Sequence, residues 1–400
     1  MMPQKTLGIL NTELEKRGAY QTAREIAQQP NLWQQIYSLA QNNKNTISAF
    51  LNTVLPKRNL QMILTGAGSS AFIGNCIEGI FLKNTEIRTR AIPTTDLVTH
   101  PLYYFHADTP TLLFSFARSG NSPESLAAVE LANKICKDVN HIIVTCNPDG
   151  ELAKNASDEN TLLLVLPPEA NDKGLAMTGS FTGMLVMAIL LSRLSDIDYL
   201  KSEIILVSAY AQKIIEYYSD ALKTICELPF KRAVFLGSGP LRGCAQECHL
   251  KLQELTDGQV ITKFDSFLGL RHGPKVVINP ETLIVYLFSS IPYILQYEYD
   301  LLKAINKGER GLYSIGVLEK DALEFDLEMK IVLSSGDSPS LDPDFLPVCD
   351  TVIGQILGFY KSLQLGIKPD TPSESGTITR VVQGVSIYPF NLNKASLQKN

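Results

Sequence analysis

Two positions in the second half of the chain carry side chains suited to acid–base chemistry. Lys251 and Glu254 are three residues apart in a predicted helix, which places both on one face. A loop region then leads to His272, within the run Arg-His-Gly-Pro at 271–274. A carboxylate can move a proton between adjacent carbons, and a histidine with a pKa near neutrality can open a sugar ring. An aldose–ketose shift requires both steps, although a solvated ion pair and a structural histidine would have the same sequence.

Two loops in the first half are rich in glycine and serine and could bind a phosphate. Residues 66–70 (Gly-Ala-Gly-Ser-Ser) and 118–122 (Arg-Ser-Gly-Asn-Ser) each follow a predicted strand and open a predicted helix. A helix N-terminus offers free N–H groups and a positive dipole end, so it favours an anion. Serine hydroxyls add further donors, and Arg118 could form a charge-assisted contact.

Each loop also has an alternative interpretation. The first fits an ordinary strand-to-helix turn, and its spacing Gly66-x-Gly68-x-x-Ala71, with Glu86 downstream, loosely fits a dinucleotide-binding fingerprint. In the second loop, Ser119 or Ser122 can cap the following helix, a role that is compatible with phosphate binding.

The elements that would position these residues follow the pattern of a parallel α/β sheet. Short apolar runs alternate with helix-like segments, and the series occurs twice. Three strand-associated segments recur at one offset of 171 residues: 66–69 with 237–240, 111–114 with 282–285, and 141–144 with 312–315. This register predicts a duplicated domain. In the second copy the first loop carries Pro240, and Ser119 maps to Ser290, so we expect one phosphate site per chain.

The predicted fold class is therefore α/β, with two tandem domains, each a doubly wound, flavodoxin-like parallel sheet flanked by helices. We predict a helical N-terminal extension at 1–50, a first domain with the phosphate loops at 51–220, and a second domain with the acid–base residues and a C-terminal tail at 221–400. In such sheets, ligands bind beyond the carboxyl ends of the strands.

Composition narrows the class of protein. The chain has 400 residues and a net charge of −5, which argues against nucleic-acid and membrane-surface partners. No signal peptide is visible, and the most apolar helical run, 181–194, is shorter than the roughly 20 residues that a bilayer requires. Its seven cysteines are scattered in apolar runs, as in reduced cytoplasmic proteins. Cys244, Cys248 and His249 are interpreted as helix packing, and we expect no metal and no cofactor.

As a set, five motifs resemble the SIS (sugar isomerase) family over about residues 50 to 390. The resemblance is strongest to the amino-sugar-phosphate branch, which includes the isomerase domain of glucosamine-6-phosphate synthase and the AgaS-type deaminase/isomerases. The motifs are the two glycine–serine loops with 116–125, the segment 174–178 (Gly-Leu-Ala-Met-Thr), 251–254 (Lys-Leu-Gln-Glu) and 271–274. Segments 22–30 and 380–385 are similar to the AgaS type in particular.

The resemblance implies a role for each candidate residue. Glu254 would be the proton-shuttling acid/base, Lys251 would assist it, and His272 would open the ring. In the synthase the matching histidine comes from a neighbouring subunit, so the resemblance implies a homodimer or larger assembly with shared sites. Phosphate would be bound by Ser70, Ser119 and Ser122, with Ser69 and Arg118 adjacent, and Thr178 would lie in the segment lining the sugar pocket.

Two departures from the family pattern bear on the mechanism. The synthase tail carries a lysine that forms a Schiff base, and the matching position here is Gln383; Ala117 replaces a hydroxyl residue. No glutaminase domain with its ammonia source is recognisable, so release of ammonia is favoured over amination. The expected reaction converts galactosamine 6-phosphate to tagatose 6-phosphate and ammonia. The alternatives are a ketose/aldose 6-phosphate isomerase, a glucosamine-6-phosphate deaminase, and a non-enzymatic sugar-phosphate-binding regulator.

Overall fold

The structure is a computed structural model, and it describes residues 4–157, 159–321, 324, 326–334, 338–382 and 384–392. The N-terminal part is a small antiparallel hairpin followed by helices. Its elements are β1 Lys5–Thr6, β2 Ile9–Leu10, α1 Asn11–Lys16, α2 Tyr20–Ala27, α3 Gln29–Asn42 and α4 Lys44–Val54.

The first large sheet has five parallel strands in the order β4-β3-β5-β6-β7. Its central strands are buried on both faces, as their continuous apolar sequences require. The strands are β3 Gln61–Thr65, β4 Arg88–Ala91, β5 Thr111–Ala117, β6 Val139–Thr145 and β7 Thr161–Val165. The helices of this half are α5 Ser69–Thr85, α6 Thr94–Thr99, α7 Pro123–Ile135, α8 Glu151–Lys154 and α9 Gly179–Ser192.

A helical connection leads to the second sheet. It consists of α10 Leu200–Lys213, a π-helical segment Ile214–Tyr218 and α11 Ser219–Cys226. The strands that follow are β8 Arg232–Leu236, β9 Ile261–Asp265, β10 Thr282–Leu287, β11 Tyr313–Leu318 and β12 Met329–Val332, in the parallel order β12-β11-β10-β8-β9. The helices are α12 Pro240–Leu255, α13 Phe267–Leu270, α14 Pro292–Asn306 and α15 Leu346–Gln364.

The two halves have the same topology. The strand orders match when β3 is paired with β8 and β5 with β10, and β3 and α5 begin 171 residues before β8 and α12. The turn between strand and helix is also repeated, since Gly68 and Gly239 have the left-handed φ values 56° and 54°. The predicted fold, two tandem α/β domains with parallel sheets and a helical N-terminal extension, is confirmed.

Helices of both halves share one core. Helices α5 and α12 pack on each other, and α12 packs on α15. Every residue of α9 is buried, which explains the apolar run at 181–194. In the part of the chain that the structure describes, no helix has the length and apolarity needed to cross a membrane.

Candidate active site

The two glycine–serine loops lie side by side at the carboxyl edge of the first sheet, after the adjacent strands β3 and β5. A Cβ on Gly66 would lie 2.6 Å from the Ser70 backbone carbon, so only glycine allows this close turn. Ser69 and Ser70 are the first two residues of α5, and both are 5% exposed. Ser122 precedes α7, and its Oγ donates to Ser125 Oγ at 2.6 Å.

Both loops line one small pocket of about 100 Å³. Ser70, Ser119 and Ser122 contribute to its wall, as do Met177 and the tail segment 380–382. The pocket is large enough for little more than a phosphate group, and hydroxyl groups and two helix N-termini surround it. The structure therefore brings three of the predicted phosphate ligands together.

Arg118 connects this pocket to two other segments. Its side chain is buried, and Nη1 donates to the carbonyl of Leu175 at 2.9 Å and to that of Gly174 at 3.4 Å. Nη2 donates to the carbonyl of Arg380 at 2.7 Å. Burial lowers the pKa of Arg118, and the nearby Asp172 opposes that effect. Arg118 lines the pocket, but these donors hold the sugar-pocket segment and the tail in place.

The segment before α9 is fixed by two buried carboxylates. Asp172 accepts the backbone N–H groups of Thr178, Gly179 and Ser180 at 2.8–3.0 Å, and thereby caps α9. Glu25, from the N-terminal extension, accepts the N–H of Lys173 at 2.6 Å. Burial and the charge of Asp172 raise the pKa of Glu25.

Thr178 and Ser69, both predicted to be near the substrate, point away from the pocket. The Thr178 hydroxyl donates to Asp172 Oδ1 at 2.9 Å and is fully buried, so its neighbour Met177 lines the pocket instead. The Ser69 side chain faces Glu247 of α12, and this contact lowers the pKa of that carboxyl.

The predicted acid–base residues form a buried cluster with a third member. Lys251 Nζ lies 2.6 Å from Glu254 Oε2 and 3.3 Å from Glu247 Oε1. The side chains of Lys251 and Glu247 are fully buried, while that of Glu254 is 20% exposed. The ion pair is therefore not a solvated one, and Glu254 is the member that a substrate can reach.

Burial sets the protonation of this cluster. It raises the pKa of Glu247 to about 7, against the opposing charge of Lys251. Burial alone would lower the pKa of Lys251, but the two carboxylates outweigh it and raise the pKa above its usual value. Lys251 thus stays charged between them. The spacing Glu247-x-x-x-Lys251-x-x-Glu254 was the available sequence signal for Glu247, which the sequence analysis missed.

The phosphate pocket and the acid–base cluster face each other across the two halves. The charge of Glu254 raises the pKa of Arg118, and the charge of Arg118 lowers that of Lys251, so these groups lie within electrostatic reach. Ser69 makes the direct connection, because it begins α5 and its side chain meets Glu247 on α12.

His272 lies apart from this cluster. It is exposed in the turn after α13, and within the described ranges it has no hydrogen bond to Glu254, Lys251 or a residue of the pocket. Two neighbouring apolar side chains are exposed with it, Leu268 at 49% and Val276 at 87%.

The remaining predicted positions are placed as follows. Ala117 ends β5 and lines the pocket, whereas Gln383 lies outside the described residues. Cys244 and Cys248 are buried next to each other, and the His249 ring packs on Phe264. Across the described residues, no group of three or more His, Cys, Asp or Glu side chains could hold a metal ion.

Comparison with known proteins places this fold and site in a family. A family model described as "SIS domain" matches residues 55–192. The chain is 39% identical over 382 residues to the D-galactosamine-6-phosphate deaminase AgaS of Shewanella sp. (strain ANA-3), with 94% of each chain covered.

Two solved structures are also similar along nearly the whole chain. One is a putative tagatose-6-phosphate ketose/aldose isomerase from Clostridium novyi, with a TM-score of 0.94 and 40% identity, covering 97% of this chain and 100% of that one. The other is the tagatose-6-phosphate ketose/aldose isomerase from Escherichia coli, with a TM-score of 0.84 and 37% identity, covering 92% and 96%.

The duplicated parallel sheets and their serine loops define a protein of the SIS class. The chain belongs to the SIS family, and within it to the group of the AgaS proteins, as its motifs had indicated.

Proposed function

We propose that this protein is an amino-sugar-phosphate deaminase/isomerase that converts galactosamine 6-phosphate to tagatose 6-phosphate and ammonia. The observation that carries the proposal is the contact between Ser69 and Glu247, which joins a phosphate-sized pocket to a buried acid–base cluster. The names of the similar proteins, galactosamine-6-phosphate deaminase and tagatose-6-phosphate isomerase, support the substrate class. We place the reaction in the cytoplasm, consistent with seven free, buried cysteines.

Phosphate binding anchors the substrate in this proposal. The hydroxyls of Ser70, Ser119 and Ser122 line the pocket and donate to the phosphate oxygens, with the N-termini of α5 and α7 behind them. Arg118 adds positive charge while it holds the sugar-pocket segment and the tail. The sugar carbons then extend towards Glu254, the partly exposed member of the cluster.

The chemistry begins with ring opening, which gives a free aldehyde at C1 beside the amine at C2. Glu254 takes the C2 proton and returns a proton to C1, so that the carbonyl oxygen becomes a hydroxyl and an imine forms at C2. Water adds to the imine carbon and ammonia leaves, which produces the C2 ketone of tagatose 6-phosphate. Lys251, held between two carboxylates, keeps a positive charge next to Glu254. This charge favours the ionised base that takes the first proton.

His272 enters the site from a second copy of the chain in this proposal. Its exposure beside Leu268 and Val276 supports an intersubunit role, because apolar side chains of this size favour burial in an interface. The test mixes two inactive variants, Glu254→Gln and His272→Asn, after reversible dissociation. Random pairing restores about a quarter of the wild-type rate if each site takes one residue from each copy of a dimer. No recovery in verified mixed dimers would contradict shared sites.

The substrate is tested by supplying galactosamine 6-phosphate and glucosamine 6-phosphate separately and measuring ammonia and ketose phosphate. Ammonia from the galacto epimer, in equal amount with tagatose 6-phosphate, is the expected result. Ammonia from only the gluco epimer would replace the substrate. Absence of ammonia from both, with interconversion of tagatose and galactose 6-phosphates, would replace deamination with simple isomerisation.

A further inference from the structure

The second sheet repeats the backbone of the phosphate loop that follows β3. A Cβ on Gly237 would lie 2.2 Å from the Leu241 carbonyl oxygen, as one on Gly66 would clash with Ser70, and both pairs are related by the 171-residue offset. Gly239 has the same left-handed conformation as Gly68. The loop after β10 likewise corresponds to the loop after β5, with Ser289 at the position of Arg118.

A carboxylate lies between these two loops in the second half. Glu298 of α14 is fully buried, and its Oε2 accepts the backbone N–H of Ser289 at 2.7 Å. The Ser238 side chain, from the loop after β8, faces the same carboxylate and lowers its pKa. The other oxygen, Oε1, is buried with no hydrogen-bond partner in the described residues. One anionic group therefore meets donors from both loops, as a phosphate would between the loops of the first half.

This contact is not ordinary helix capping. The residue before α14 is Ile291, and Glu298 lies in the second turn, nine residues after the N–H that it accepts. In the first half the position 171 residues earlier is Ala127, whose side chain is too short to reach either loop. The first cradle is thus open to a ligand, whereas the second is filled by the chain itself.

We propose that the second domain retains an anion cradle of the same design as the first, and that the Glu298 carboxylate occupies it as a built-in anion. Removing that carboxylate then opens a second site for a tetrahedral oxyanion of the phosphate or sulfate class. The proposal concerns binding alone and does not depend on which sugar phosphate the first site takes. It gives a physical reason, beyond Pro240 and Ser290, for one phosphate site per chain.

Burial of Glu298 is costly without compensation, which supports its role as a bound anion. Burial raises the pKa of Glu298 to about 7, and the contacts with Ser238 and the Ser289 N–H oppose that rise. A buried carboxylate with one oxygen unpaired costs more than an apolar side chain at the same place. A purely structural filler would not require charge, whereas a substitute for phosphate does.

The test counts inorganic phosphate bound at equilibrium by the full-length protein, by dialysis against labelled phosphate. We expect one equivalent for wild type, two for Glu298→Ala, and one for Glu298→Gln, whose amide fills the same volume. Removing the Ser238 hydroxyl in Glu298→Ala/Ser238→Ala should weaken the second equivalent about fivefold, the effect of one hydrogen bond. That weakening distinguishes the cradle from an unrelated surface site.

Folded Glu298→Ala that binds a single equivalent would overturn the proposal, as would a second equivalent that is insensitive to Ser238→Ala. If Glu298→Ala fails to fold in phosphate-free buffer, its refolding is measured with added phosphate or sulfate, and with chloride at equal ionic strength. Recovery in the oxyanions alone supports an emptied anion cradle. Failure in all three salts shows that the carboxylate is needed for another reason and also overturns the proposal.

Discussion

Asn75 and Gln246 occupy matching positions in the two halves, 171 residues apart, and their side chains are hydrogen-bonded to each other, with Asn75 Nδ2 donating to Gln246 Oε1 at 2.7 Å. The internal symmetry axis therefore passes between α5 and α12. These two helices also carry Ser69 and Glu247, which connect the phosphate pocket to the acid–base cluster. The duplication thus places the site at the contact between its own two copies.

The first prediction concerns the closeness of these helices. A Cβ on Gly243 would lie 2.6 Å from the backbone nitrogen of Cys76, an approach that only glycine permits. Gly243→Ala should separate α5 from α12, lower the free energy of unfolding by about 1–3 kcal/mol, and reduce turnover because Ser69 and Glu247 move apart. Urea unfolding and steady-state rates measure the two effects.

The matched control is Gly79 on α5, where an added Cβ meets no atom within 4 Å. Gly79→Ala should leave turnover unchanged and raise the free energy of unfolding by up to about 1 kcal/mol, through helix propensity alone. Equal stability of Gly243→Ala and wild type would show that the helix contact is not limiting.

The second prediction separates catalysis from phosphate binding. Glu254→Gln keeps the shape of the side chain but removes the base, so turnover should fall by ~10²-fold or more. Inhibition by inorganic phosphate should change little, because the pocket is built from other elements. Glu227→Gln, an exposed substitution, serves as control. A near-normal rate for Glu254→Gln would remove this residue from the mechanism.

The third prediction concerns the charge balance around Lys251. Lys251→Met leaves Glu247 and Glu254 facing each other without a cation, and should cost about 3–5 kcal/mol of stability. Adding Glu247→Gln removes one of the two like charges and should restore part of that loss. A double-mutant cycle by urea unfolding gives the coupling energy. Additive losses would show that Glu247 and Lys251 act independently.

Residues close in sequence account for most of what could be predicted. The helix start at Pro123 and the strand at Thr111 follow from local turn residues and apolar runs, and the 171-residue register follows from duplication. The edge strand Arg88–Ala91 escaped prediction because it has little apolar sequence. Its pairing with β3 determines its structure.

The site was predicted less completely, because its contacts join distant residues. The hydrogen bond from Arg118 to Arg380 spans 262 positions, and no local pattern indicates it. Thr178 has the motif position of a sugar ligand, yet Asp172 captures its hydroxyl for a helix cap. Glu298 carries no sequence motif at all, and only the folded chain places it between two loops.

The last prediction is a pH dependence of stability from Asp350 on α15. The side chain is buried, and its described contact is Cys349 Sγ, 3.6 Å from Oδ1. Burial raises its pKa from the ordinary 3.8 to about 8. The folded protein therefore holds this proton more tightly than the unfolded chain. The resulting stabilisation is complete below about pH 4 and is lost as the pH rises through 8.

Asp350→Asn cannot ionise, so its free energy of unfolding should gain on that of wild type by roughly 2–3 kcal/mol between pH 6 and pH 9. Urea unfolding of both proteins at three pH values across this range measures the difference. The exposed substitution Asp196→Asn should leave the pH profile of wild type unchanged. Parallel profiles for Asp350→Asn and wild type would mean that Asp350 is ionised throughout, and that the structure compensates its burial with contacts beyond Cys349.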